Sequence, residues 1–278
     1  MIISKCVDVE IFPNLFSITF IDLKDYLLKF KDCVDSKGRP KALTECLSVA
    51  EIKARLDKVK SDIFYISDTD DSQLLELVSY INQMEARYNT ITTSDGNVTQ
   101  EAVRTDLFGF NNQGYDDYMI KGFLMHFNRF DTTKELITKL FNTSQKIIEF
   151  QDKDKKEIHN DFLMRSLNKF GLPYIDIDVM KIFALNKAGT YIDKNNEKKY
   201  IPKGLKQTSI NLQWYELLEY ELPPICEKDA DIYNQIPKYK GMSIRELNNV
   251  VEKWHRYIID EYIPDILHYN LNDVFIVA

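Results

Sequence analysis

The stretch Val7-Asp-Val-Glu-Ile-Phe-Pro-Asn-Leu-Phe16 sets two acids, Asp8 and Glu10, into an alternation of apolar residues that otherwise reads as a buried strand. Residues two apart on a strand share a face, so both carboxylates point the same way, roughly 6 to 7 Å apart along the backbone. Desolvating two carboxylates is unfavourable unless cations or hydrogen bonds neutralise them. The pair is therefore either part of a metal site or the polar outer face of an edge strand.

Working outward, Met1 to about Leu23 reads as a hairpin with Pro13 and Asn14 at its turn. "SVAEIKARLDKV" (48–59) has helical periodicity, "SDIFYISD" (61–68) is strand-like, and "DDSQLLELVSYINQMEARY" (70–88) reads as one helix capped by Asp71 or Ser72. "RTDLFGFN" (104–111) is a short strand leading into the amphipathic helix "YDDYMIKGFLMHF" (115–127). Two helices follow, "KELITKLFNTSQKIIEF" and "NDFLMRSLNKFG", then "PYIDIDVMKIF" as a strand, a polar-tipped hairpin over "NKAGTYIDKNNEKKYIPKG", and a mostly helical last third from Ser209. Strands and helices alternate, so an α/β architecture is expected rather than a bundle. Without repeats or an evident linker, residues 1–278 read as a single domain, with an elaboration at about 30–100 and a basic hairpin at about 187–206.

Composition narrows the function classes. A chain of 278 residues with 44% hydrophobic content suffices for a sizeable core. No apolar run approaches the ~20 residues that span a bilayer, and no leader pattern precedes the first strand, so a soluble, unexported, cytoplasmic protein with no membrane partner is expected. The four cysteines, Cys6, Cys33, Cys46 and Cys226, form no C-x-x-C pair, which argues against a zinc knuckle or a disulfide framework. A formal charge of −7 counts against coating nucleic acid by bulk electrostatics, and leaves room for an enzyme with local positive charge. The local charge is there: Lys187, Lys194, Lys198, Lys199, Lys203 and Lys206 fall within twenty positions, a patch able to guide a phosphate backbone or simply a solvated hairpin tip.

Two further segments carry acids at informative spacings. In Phe108-Gly-Phe-Asn-Asn-Gln-Gly-Tyr-Asp116 the chain leaves a strand for a helix, the place where α/β sheets put their chemistry; read singly, Asp116 is a capping acid and Asn111 a turn residue. In "HYNLNDV" (268–274), Tyr269 and Asp273 are four apart and share a helical face, whereas His268 lies on another. Asp117 reads as a solvated helix position, and "SDTDDS" (67–72) as a helix cap because it lacks the glycine and glutamate of a calcium loop.

Taken in order, a D-x-E strand, an N-x-x-x-[FY]-D junction and a Y-x-x-x-D segment resemble the three motifs of the DEDD superfamily of 3′→5′ exonucleases. The likeness is greatest to the proofreading domains of B-family DNA polymerases, especially phage ones, in which variants of "DIE-x-FPN", "GYNN-x-x-YDD" and "YN-x-NDV" are similar to the stretches here, and it spans residues 8 to 273. The resemblance implies a ribonuclease-H-like (DnaQ-like) fold, a mixed central sheet flanked by helices. It implies Asp8, Glu10, Asp116 and Asp273 as ligands of two divalent ions, Mg²⁺ or Mn²⁺, an oxygen-rich set suited to hard cations. Tyr269 would orient the attacking water, with His268, at the H-x-x-x-x-D spacing of the histidine-type branch, as the alternative. Phe12, Asn111 and Lys206 would lie along the substrate. The implied activity is release of nucleoside monophosphates from single-stranded or frayed DNA 3′ ends, in proofreading during replication, in a host cytoplasm if the chain is phage-encoded. Polymerases of this type continue into palm and fingers, so the chain is expected to be an excised proofreading domain or a free-standing nuclease partnered by a polymerase domain or subunit. Two rivals stand beside it: an RNA-directed exonuclease of the same fold, and a catalytically silent binding or assembly module.

Overall fold

The computed structural model describes residues 1–92, 95, 97–128, 132–150, 160–184, 190–192, 198–200, 204–218 and 222–278. The opening hairpin forms as expected: β1 (Ile2–Phe12) pairs antiparallel with β2 (Leu15–Asp22) across the Pro13-Asn14 turn. Asn14 is buried at its tip. Its side-chain amide donates to the Ile258 carbonyl and accepts from the Ile258 N–H, both at 2.7 Å, tying the hairpin to a segment 244 positions away.

Around this hairpin grows a six-stranded mixed sheet. β3 (Ser61–Ser67) runs antiparallel to β2, and β5 (Val98–Gly109) runs parallel to β1. The free edge of β5 is shared: β4 (Arg87–Thr92) pairs antiparallel with its first half, and β6 (Ile175–Asp178) pairs parallel with its last four residues. The period of two along β1 sorts the layers. Val7, Val9 and Ile11 join their cross-strand partners Phe20, Ile18 and Phe16 in the main core. That face is covered by α4 (Leu74–Asn82), α5 (Asp116–His126), α6 (Thr133–Phe150) and α7 (Phe162–Lys169), and the first helices, α1 (Leu23–Lys29), α2 (Leu43–Cys46) and α3 (Val49–Leu56), precede β3 in the chain. On the opposite face Cys6 and Ile21 pack with Tyr26 of α1 and with Val274 and Phe275 of the final helix.

Beyond β6 come α8 (Val179–Ala184), the short ladder of β7 (Thr190–Ile192) with β8 (Lys198–Tyr200), and α9 (Leu205–Asn211). α10 (Glu227–Asn234), α11 (Ile244–Val250) and α12 (Ile263–Val277) follow, so the last third is helical only in short pieces until α12. No helix among the described residues is long and apolar enough to cross a membrane.

Three local expectations need correction. The helix expected over 70–88 stops at Asn82, and Arg87–Thr92 are strand β4, whose side chains are almost all exposed and so carry no burial periodicity. Its cap is Gln73 rather than Asp71 or Ser72; the Gln73 Oε1 accepts the Tyr65 N–H at 2.8 Å. The strand expected over 173–183 ends at Asp178, whose carboxylate accepts the Met180 N–H at 3.0 Å and turns the chain into α8.

Candidate active site

The parallel ladder between β1 and β5 ends at Cys6 and Phe108, and β5 itself ends at Gly109, while β1 continues through Asp8 and Glu10. A crevice opens there, at the carboxyl ends of the parallel strands. The connection that leaves β5 is held by tight local geometry. Asn111 adopts a left-handed conformation (φ 59°), and its carbonyl accepts the N–H groups of Gly114 and Tyr115 at 2.9 and 3.1 Å. A Cβ on Gly109 would sit 2.6 Å from Asn112 Cβ, so that position requires the bare backbone, and one on Gly114 would sit 2.6 Å from Asn111 Oδ1 and push that side chain aside.

This turn delivers Asp116 to the first residue of α5, where its carboxyl is buried near the Val9 N–H, which favours the ionised form against burial. Val9 lies between Asp8 and Glu10, past the end of the β5 pairing, so the junction acid comes up beside the two strand acids. From the other side α12 contributes Asn270, whose amide donates to Asp8 Oδ2 at 2.6 Å across 262 positions, and Tyr269, whose hydroxyl hydrogen-bonds Asp273.

The electrostatics follow from that placement. Burial first, then the charges of Asp116, Glu10 and Asp273, hold the Asp8 carboxyl well above the usual carboxylate range, against the Asn270 hydrogen bond. Burial and then Asp273 push Glu10 up to about 8, with Lys253 opposing. Burial, then Asp117, Glu10 and Asp178 raise Asp116 well above its ordinary value. Burial lifts Asp273 to about 6, opposed by the Tyr269 hydroxyl, and the Tyr269 phenol is itself raised by burial and by Asp273, Glu10 and Asp8. Glu10 thus acts on Asp8, Asp116 and Tyr269, and Asp273 acts on Asp8, Glu10 and Tyr269.

Asp8, Glu10, Asn111, Tyr115 and Asp116 line a cleft of about 560 Å³ that Ile148 and Met180 complete on its apolar side. Asp273 and Tyr269 approach from α12 and are not among its lining residues. Among the described residues no three His, Cys, Asp or Glu side chains close on a common point tightly enough to ligate one ion. The donor chemistry nonetheless suits hard divalent cations: all-oxygen side chains, half-buried or buried and mutually repelling.

The other residues named from the sequence fall as follows. His268 is exposed, unlike its half-buried neighbour Tyr269. Phe12 is 2% exposed, packed with Leu15, Ile258, Ile263 and Ile266, so its ring belongs to the core and is not presented to a substrate. Lys206 is an exposed residue of α9, next to Gly204 and Leu205 at the cleft rim. Of the other patch lysines, Lys187, Lys194 and Lys203 lie outside the described residues.

Sequence reasoning missed a second carboxylate group behind the first. Asp117 is buried, not solvated: Tyr174 donates to its Oδ1 at 3.1 Å, and burial together with a hydrogen bond to Asp176 pushes it up to about 8. Asn112 donates to Asp176 Oδ1 at 2.6 Å, and Asp178 Oδ1 accepts the Asn111 N–H at 3.1 Å. The D-x-D spacing of Asp176 and Asp178 on β6 is the same signal as that of Asp8 and Glu10. Asn270 gave none, because one Asn on a helix has many uses. No known family model, curated protein or solved structure matches this chain.

Proposed function

We propose that this chain is a metal-dependent 3′→5′ exonuclease on a ribonuclease-H-like fold, releasing nucleoside monophosphates from single-stranded or frayed DNA ends in the manner of a replicative proofreading domain. The observation that carries the reading is that Asp8, Glu10 and Asp116 line one cleft, with α12 tied to it by the Asn270–Asp8 hydrogen bond and the charges of Asp273 and Glu10 acting on Tyr269. Residues of the first two motifs line one cleft of a mixed sheet and the third stands beside it on α12, tied in through Asn270 and Asp8, which supports the motif resemblance.

Asp8, Glu10, Asp116 and Asp273 would hold two divalent ions, Mg²⁺ or Mn²⁺. When bound, such ions supply a polarised water and neutralise charge on the phosphate during in-line displacement. The chain's own groups do the rest. Asn270 holds the Asp8 carboxylate in one rotamer. Tyr269, kept protonated because its phenol is raised, orients a water as a hydrogen-bonding group and does not act as a base. The turn at Asn111 fixes where Asp116 enters. Lys206, exposed beside the cleft rim, would meet the backbone of the single strand, and a polymerase domain or subunit would present the frayed end.

A silent binding module is the second reading, favoured by the lack of a ligation-ready triad among the described residues. The deciding experiment is release of labelled monophosphate from a 3′-labelled DNA strand by wild type and Asp8→Ala, with and without a chelator, beside the same strand in RNA. Release that needs Asp8 and divalent ions supports the nuclease. No release from either strand selects the silent module, and release from RNA alone moves the substrate assignment.

A further inference from the structure

Asp8 and Glu10 look across the opening hairpin at two hydroxyls. In the antiparallel register of β1 with β2, Thr19 stands opposite Asp8 and Ser17 opposite Glu10. Directly opposed residues share a face of the sheet, with Cβ atoms about 4.5 to 5.5 Å apart. Their neighbours Phe16, Ile18 and Phe20 enter the main core, so Ser17 and Thr19 take the other face, over which α12 packs. Both are 0% exposed, and neither hydroxyl has a hydrogen-bond partner among the described residues.

Two hydroxyls on α6, nearly as buried, are paired: Thr143 donates to the Lys139 carbonyl at 2.8 Å, and Ser144 shares a hydrogen bond of 2.7 Å with the Tyr115 hydroxyl. A helix lends its side chains the carbonyl one turn back, whereas the carbonyls of β2, flanked by β1 and β3, are taken by the ladders. Ser17 and Thr19 must therefore find partners among side chains. On β3 the residues opposed to them are Tyr65 and Ile63, so Asp8 is the only polar side chain directly opposite Thr19. Asn270, which reaches Asp8 from α12, adds a third unpartnered atom beside the acid pair, its Oδ1. An unpaired buried hydroxyl is unfavourable, and valine or alanine would fill these strand positions without that penalty.

We infer that Thr19 and Ser17 are positioning residues of the crevice, whose hydroxyls donate to the Asp8 and Glu10 carboxylates when these hold a divalent cation. This role rests on the reading of those acids as cation ligands. A carboxylate that ligates through one oxygen keeps lone pairs for a donor, and a ligand so held is pre-set for the cation. The type of donor matters. A lysine in these places would neutralise the carboxylate and compete with the cation, whereas a hydroxyl orients it and leaves its charge. Asp8 would then be held from two sides, by Asn270 of α12 and Thr19 of β2, and Glu10 by Ser17.

The test is Mn²⁺ titration calorimetry, with thermal melting in chelator beside it, on the full chain as wild type, Thr19→Val, Thr19→Ser and Ser17→Ala. Thr19→Val exchanges the hydroxyl for a methyl group and keeps the shape of the side chain. It should weaken Mn²⁺ binding by about tenfold or more, while its melting temperature in chelator equals or exceeds that of wild type. Thr19→Ser, which keeps the hydroxyl, should bind within about threefold of wild type. Ser17→Ala should weaken binding in the same direction as Thr19→Val. A merely structural hydroxyl would give the opposite pattern, a lower melting temperature in chelator with affinity kept, and that result overturns the inference. Wild-type affinity in either Thr19→Val or Ser17→Ala overturns it as well and leaves the cation reading standing. A wild type that binds no Mn²⁺ overturns both together.

Discussion

Acids in two regions of this chain are handled in opposite ways. Asp229, in the cluster of α10 and α11, is fully buried and meets Arg256, itself 7% exposed in the side chain, at 3.3 Å; the Cys226 N–H also reaches it, and Arg256 is anchored further by the Pro223 carbonyl at 2.8 Å. Asp8 and Asp116, at the crevice of the central sheet, are raised chiefly by burial and by other acids. The first arrangement neutralises a carboxylate with a guanidinium, as a fold needs. The second concentrates carboxylates, with the Asn270 amide and the Lys253 charge opposing the rise. A site that departs from the rule the same protein follows elsewhere is where function is to be sought.

The contrast can be broken by mutation. The largest expected effect is on turnover: Asp8→Ala or Asp116→Ala should lower monophosphate release by on the order of 10³-fold with little loss of folded protein by circular dichroism. Tyr269→Phe should lower it about 10²-fold, whereas His268→Ala should leave it within about twofold; the reverse ranking would transfer the water-orienting role to the exposed histidine. In the neutralised pair the effect is on stability. Arg256→Met should cost about 3 to 5 kcal/mol in denaturant unfolding, because it leaves Asp229 buried without its partner. Asp8→Asn should do the opposite, raising stability at neutral pH in a chelator, since it removes a repelled charge.

A pH series sharpens the same point. Glu10 moves from 4.5 to about 8 on folding, so the folded chain holds its proton more tightly than the unfolded one. Its contribution is complete below pH 4.5 and is lost as pH rises through about 8. In chelator, wild type should therefore lose stability over that window, Glu10→Gln should lose less, and a divalent ion should restore wild type by binding the folded state alone. A flat wild-type profile in chelator would show that the crevice acids do not repel one another.

How far the sequence spoke depended on the distance over which each feature is decided. Asp8 and Glu10 were legible because a period of two is local, and Tyr269 with Asp273 because i to i+4 spacing on a helix is local too. β4 was illegible because both its faces meet solvent, so Arg87–Thr92 show no alternation of burial. Phe12 could not be placed from its neighbours: its cover, Ile258, Ile263 and Ile266, arrives from some 250 positions later. Asp117 looked like any acid in a first helical turn until Tyr174 and Asp176 were brought against it. The acids Asp176 and Asp178 were open to the same logic that singled out β1.

The most direct test of the central claim is Mn²⁺ binding measured by titration calorimetry on wild type, Asp116→Asn and Asp273→Asn. If carboxylates from β1, α5 and α12 serve one ion-binding pocket, wild type binds Mn²⁺ and each single substitution, on a different element, weakens that binding by tenfold or more. Wild-type affinity retained in either variant, or no binding by wild type, would contradict the account.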